Sequence, residues 1–199
     1  PGSGLVPPNE FIALAEETGI IIPLGEWILK TACKQNMEWQ AAGCRPICVS
    51  VNISGRQMQK EGFMSSVFNA LQASSLDPRY LELELTESVL MKNAESTIEM
   101  LHKLKNIGVR LAMDDFGTGY SSFSYLKRFP LDVIKIDKSF IDDIPKKADT
   151  SAIVVAIISI AQSLNLKVVA EGVELRQQLA FLSAHGCDEV QGYYFSRPL

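Results

Sequence analysis

Apolar positions along this chain follow two alternating rhythms. Short runs rich in β-branched residues occupy Ile47–Ile53, Leu81–Leu85, Val109–Met113, Val133–Ile136, Lys167–Ala170 and Glu189–Phe195. Runs of that length and composition predict six strands. Between them apolar residues recur every three or four positions. That period predicts helices over Glu10–Thr18, from Leu24 to Ala42, and over about 56–73, 93–106, 121–128, 150–164 and 174–185. The helix ends are readable. Pro8 and Asn9 introduce the first helix, Gly19 and Gly43 follow the first two, and Gly108 and Gly186 each stand between a helix and the next strand. Strands alternating with helices predict an α/β fold, a parallel sheet with helices outside it, either doubly wound or closed into a barrel.

The polar residues at the strand ends separate those two architectures. Asn52 ends the first strand, Glu84 and Glu87 the second, Asp114 and Asp115 the third, Lys135 and Asp137 the fourth and Glu171 the fifth, while Gln191 lies in the sixth. In a parallel barrel the side chains at the C-terminal strand ends converge on one mouth, where active sites are built. A doubly wound sheet gathers its site at a single switch point, so polar groups on every strand favour the barrel. Taken singly, an acid at a strand end is more often a helix cap or a solvated turn residue. Its recurrence on each strand is what argues for a shared site.

Composition narrows the function classes. With 199 residues, 47% hydrophobic and 21% charged, the chain is long enough to bury a core without disulfides or a structural metal, and one domain is expected. The longest apolar run, Ala152–Ala161, is about half the ~20 residues that cross a membrane, so it reads as a buried helix face and no membrane span is expected. No charged segment precedes an apolar stretch at the start, so no signal peptide is expected either. Cys33, Cys44, Cys48 and Cys187 lack CxxC spacing and read as reduced structural thiols, so a cytoplasmic domain is expected, in a protein that other regions could anchor to a membrane. The 19 basic residues do not cluster against the 23 acidic ones, which argues against a partner of duplex nucleic acid.

The strand-end acids dictate the chemistry. Glu84, Asp114, Asp115 and Glu171 in one pocket repel one another unless they are protonated or neutralised by cations. With an amide from Asn52 and no neighbouring His or Cys, an all-oxygen set points to Mg²⁺ or Mn²⁺ rather than zinc. Adjacent acids such as Asp114 and Asp115 can bridge two metals about 3.5–4 Å apart, an arrangement that activates water against a phosphodiester. Alternation would turn the two to opposite sides, so they are expected at the strand exit, where the chain bends. Next comes Phe116-Gly-Thr-Gly-Tyr-Ser-Ser122, whose Gly117, Thr118 and Gly119 could present backbone N–H groups to a phosphate or form a βα turn. Lys135 has two readings: a Schiff-base amine, or a cation that hydrogen-bonds the attacking water, which the surrounding carboxylates favour. His102 and His185 fall on outer helices, in surface or packing positions.

Together these residues resemble a known family. Val51-Asn-Ile-Ser54, Glu84-Leu-Thr-Glu87-Ser, Asp114-Asp-Phe-Gly-Thr-Gly-Tyr-Ser-Ser122, Ile134-Lys-Ile-Asp137, Val169-Ala-Glu-Gly-Val-Glu174 and Gln191-Gly-Tyr-Tyr-Phe195 are similar, in order and spacing, to the motifs of the EAL-type cyclic-di-GMP phosphodiesterases. The resemblance implies a TIM-like (β/α)8 barrel with about six of its strands in this chain. It implies hydrolysis of cyclic di-GMP to linear pGpG, with two Mg²⁺ or Mn²⁺ ions, in bacterial second-messenger signalling. By position, Asn52, Glu84, Asp114, Asp115, Glu171 and Gln191 resemble the metal ligands. Lys135 resembles the residue that holds the nucleophilic water, and Glu171 also resembles the proposed general base. Glu87 matches the acid that anchors the Asp-Phe-Gly-Thr-Gly-Tyr loop, and Glu174 an acid behind the metal ligands.

The same resemblance implies a homodimer through the loop 114–122 and the short helix after it, with sensory or GGDEF domains upstream. A Glu-x-Leu segment followed by a phosphate-contacting arginine is expected before Pro1, and a further helix after Leu199. On that reading residues 1–199 are one EAL-type domain lacking its first strands and its last helix. A catalytically inactive cyclic-di-GMP receptor or interaction module is the alternative.

Overall fold

The computed structural model describes residues 6–119 and 123–197. Their elements in chain order are α1 (Pro8–Thr18), α2 (Ile21–Ala41), β1 (Val49–Asn52), α3 (Gly55–Gln59), α4 (Phe63–Ser74), β2 (Leu81–Thr86), α5 (Glu87–Met91), α6 (Ala94–Ile107), β3 (Arg110–Phe116), α7 (Phe123–Leu126), β4 (Val133–Ile136), α8 (Lys138–Asp143), α9 (Ala148–Ser163), β5 (Lys167–Ala170), α10 (Arg176–Ala184) and β6 (Glu189–Val190). The sheet order is β1-β2-β3-β4-β5-β6, and β3–β4, β4–β5 and β5–β6 pair in parallel. Each strand lies beside its successor, and the order never reverses. A doubly wound sheet requires a reversal, so the winding is that of a barrel.

The chain divides into two compact units. The first comprises residues 1–83 and 103–110. Its core is Leu29, Cys33, Val51, Phe63, Val67, Leu71, Leu81, Leu83 and Leu104, all buried. Gly19, left-handed at φ 79°, ends α1, and Gly43, at φ 87°, follows α2. Where the periodicity predicts one helix over 56–73, two form. Lys60 is extended and Gly62 left-handed at φ 91°, so α3 stops and α4 restarts. A capping box between Ser54 and Gln57 begins α3.

The second unit comprises residues 84–102 and 111–199. Its strands show why the polar residues share a face. Leu111 and Met113, Ile134 and Ile136, and Val168 and Ala170 are fully buried, while the alternate positions carry Asp114, Lys135 and Glu171. A parallel sheet buries both of its faces, so these polar groups come out of water as well. Asp132 Oδ2 accepts the Leu111 N–H at 2.8 Å, and Asp188 Oδ2 the Val168 N–H at 2.8 Å. Each side chain thereby fastens the start of one strand to the segment leading into the next.

Two strand ends differ from expectation. β3 runs on to Phe116, so Asp114 and Asp115 lie inside it rather than at its exit. β6 covers only Glu189 and Val190, because its partner β5 ends at Ala170 and the chain beyond Gln191 wraps around Val173 instead. The Val173 N–H donates to the Gln191 carbonyl at 3.0 Å and the Tyr194 N–H to the Val173 carbonyl at 2.9 Å. Among the described residues no helix is long and apolar enough to cross a membrane.

Candidate active site

The centre of the second unit is the Lys135 ammonium, 5% exposed. Its Nζ lies 2.6 Å from Glu171 Oε1, 2.8 Å from Glu84 Oε1 and 3.5 Å from Asp114 Oδ1. Three strands therefore deliver carboxylates to one amine carried by a fourth, as convergence at the strand ends predicts. Burial pushes the ammonium's pKa down, but hydrogen bonds to Glu171 and Glu84, and their charges, outweigh it. The Lys135 pKa is held above its ordinary value. A raised pKa leaves less neutral amine to add to a carbonyl, which weighs against the Schiff-base reading.

Asp115 joins the group through a distortion of β3. Met113 pairs with Ile134 and Phe116 with Ile136, so three steps on β3 span two on β4, a β-bulge. Asp115 sits in it at φ 54°, a left-handed conformation that Asp tolerates better than most residues. The bulge cancels the alternation that would separate adjacent side chains. Carboxylate oxygens of Asp114, Asp115 and Glu171 all lie within 4.8 Å of one another. Burial raises the pKa of Asp115, and the charges of Asp114 and Asp137 add to that rise. Burial likewise raises Glu171, where Lys135 opposes the effect and Asp114 and Glu84 reinforce it. Four carboxylates face one ammonium here, an excess of negative charge built from hard oxygen donors. That donor set fits a divalent cation.

The remaining expected residues have distinct placements. Gln191 Nε2 donates to Glu171 Oε1 at 2.7 Å, joining the cluster. Asn52 ends β1 in the first unit with an exposed side chain. Glu87 is 2% exposed, and its Oε2 accepts the Gly117 N–H at 2.9 Å. A Cβ on Gly119 would lie 2.5 Å from Glu87 Oε1, so a side chain there would have to push this buried carboxylate aside. The Thr118 N–H and hydroxyl both turn back to the Asp115 carbonyl, at 3.3 and 2.8 Å. With the Gly117 and Thr118 N–H groups spent inside the loop, its geometry serves Glu87 and the bulge rather than an external phosphate at these two positions. Of the segment 114–122 expected in a dimer contact, 120–122 lie outside the described residues.

Glu174 lines a groove together with Glu171 and Gln191 and pairs with Lys138, its Oε1 2.7 Å from Nζ. Asp137 is the helix cap that the simpler reading of a strand-end acid predicts, its Oδ1 accepting the Ser139 N–H at 2.9 Å. His102 is exposed on α6, and His185 caps α10 with its ring 4.3 Å from that of Phe181. None of the four cysteines forms a disulfide, and burial pushes the Cys33 thiol up to about 11, an inert packing group. A further acid of β2, Glu82, is buried two residues before Glu84 and lies 3.4 Å from Arg110. The period of two in Leu81-Glu-Leu-Glu-Leu85 carries the signal of that placement.

Comparison with known proteins gives concordant results. The EAL domain profile matches residues 1–198. The chain is 48% identical over 199 residues to the cyclic di-GMP phosphodiesterase NbdA of Pseudomonas aeruginosa and 41% identical over 199 residues to the cyclic di-GMP phosphodiesterase PdeR of Escherichia coli. All of this chain is matched in both cases, but it spans only 25% and 30% of those relatives' lengths. Among solved structures, the PaMucR phosphodiesterase in complex with c-di-GMP superposes with a TM-score of 0.97 at 45% identity, covering 100% of this chain and 81% of that one.

Proposed function

Because this chain belongs to the EAL domain family, we propose that its acidic cluster hydrolyses one phosphodiester of cyclic di-GMP to give linear pGpG. The observation that carries the reading is the Lys135 ammonium held between Glu84, Asp114 and Glu171. An amine kept protonated in that position can donate to an attacking water and to the charge that grows on the phosphoryl oxygens. Asp114, Asp115 and Glu171 would hold Mg²⁺ or Mn²⁺, with Glu84 and Gln191 as further oxygen donors. Divalent ions supply Lewis acidity there and offset negative charge in the transition state.

The protein's own groups then divide the work. Lys135 orients the water through its N–H donors. Glu171, 2.6 Å from the Lys135 ammonium, accepts a proton from that water. The water oxygen bonds to phosphorus, the bond to the 3′ oxygen breaks, and that oxygen takes up a proton as it leaves. Gln191 fixes the Glu171 carboxylate through its 2.7 Å hydrogen bond. Glu87 holds the loop after β3 in the conformation that the bulge at Asp115 requires.

Lys135→Ala tests the assignment. In the protein that carries this chain, the single-turnover rate of pGpG formation should fall by about 10²- to 10⁴-fold, while a titration with cyclic di-GMP changes far less. Equal losses in rate and affinity would make Lys135 a binding residue instead.

A further inference from the structure

The groove beside Glu171 holds two cations that the proposed hydrolysis does not use. It encloses about 440 Å³ and is lined by Glu171, Gln191, Tyr193, Lys138 and Arg197, among others. Both cations lie against one aromatic ring: Lys138 Nζ is 5.9 Å and Arg197 Cζ 5.6 Å from the centre of Tyr193. Lys138 gives one of its three donors to Glu174 at 2.7 Å. The Arg197 guanidinium makes no ion pair among the described residues. A guanidinium over an aromatic ring and without a carboxylate partner has N–H groups to give to another ligand, and their fork matches a phosphate.

A cyclic dinucleotide carries two phosphodiesters, and the acidic cluster acts on one of them. The other keeps its negative charge throughout, and the carboxylates around Lys135 repel it. It needs a positive counterpart near the cluster but outside it, which Lys138 and Arg197 in this groove provide. We propose that Arg197, supported by Lys138 and by the Tyr193 ring, receives the phosphate that is not hydrolysed. This assignment rests on the cyclic-dinucleotide reading of the site, and it makes Arg197 a binding residue that distinguishes a dinucleotide from a single phosphate ester.

The product pGpG allows a test without turnover, since its internal linkage is the untouched phosphate. Two ligands are titrated calorimetrically in Mg²⁺ into the protein that carries this chain: pGpG, and its analogue with a neutral methylphosphonate at the internal linkage. The unaltered protein should bind the neutral analogue about tenfold more weakly, the scale of a lost charge-assisted contact. Arg197→Gln should bind pGpG about tenfold more weakly than the unaltered protein and no longer discriminate between the two ligands, while Arg197→Lys recovers part of the difference. If Arg197→Gln keeps the full discrimination, or the unaltered protein shows none, the assignment is overturned. Failure of the unaltered protein to bind either ligand would instead remove the reading of the site on which the assignment rests.

Discussion

At the residue scale, the cluster is a charge problem solved by one buried amine. Most of its members were legible because a carboxylate at a strand end is visible as a type and a position, and Lys135 between isoleucines at 134 and 136 could face only one way. What the residues alone could not convey is the left-handed turn at Asp115, since a bulge depends on the neighbouring strand's register. That turn yields a prediction with a sign. The Asp115 carboxyl has its pKa raised in the folded chain above the ordinary 3.8, so stability due to its protonation is present at low pH and lost as pH rises through the folded value. At neutral pH, without metal, the ionised group opposes folding. Asp115→Asn keeps a residue that tolerates left-handed backbone and removes that charge. Its Tm in EDTA at pH 7 should rise slightly, and the further rise on adding Mg²⁺ should shrink relative to the unaltered protein. A lower Tm in EDTA together with an undiminished Mg²⁺ response would exclude Asp115 from the metal set.

At the element scale, the long amphipathic helices and the strands were readable, whereas α5 and α8 were not. Each of these follows its strand directly and runs for only five or six residues, too short to display a repeat in the sequence. The sixth strand is shorter than its composition predicts: Tyr193, Tyr194 and Phe195 are strand-formers by type, yet all three are exposed and lie in a turn. The turn depends on contact at Gly192, where an added Cβ would meet the Val173 backbone N and O at 2.3 Å each. Backbone cannot yield as a flexible side chain can, and the displaced neighbour would be Gln191, which holds Glu171. Gly192→Ala should therefore cost about 2 kcal/mol or more. Gly43→Ala, in open space but at positive φ, should cost only about 1 kcal/mol. Urea denaturation of the two variants measures the difference, and equal losses would remove the close packing at Gly192 from the account.

At the scale of the whole molecule, the sequential strand order makes the mouth possible. A parallel strand delivers its C-terminal side chains to one end, and a sheet that never reverses brings neighbouring ends together. The recurrence of polar residues on successive strands expressed that organisation in the sequence itself. The pairing of Lys135 with three particular carboxylates did not appear there, because it depends on lateral register between strands distant along the chain. The central claim is that Asp114 and its neighbours hydrolyse a phosphodiester with the help of a divalent cation. It is tested most directly by following conversion of cyclic di-GMP to pGpG by anion-exchange chromatography, using the protein that carries this chain and its Asp114→Asn variant, each in Mg²⁺ and in EDTA. The account predicts pGpG from the unaltered protein in Mg²⁺ alone, with none in EDTA and none from the variant. Full turnover by Asp114→Asn, or tight binding of cyclic di-GMP by the unaltered protein with no product in Mg²⁺, would contradict it.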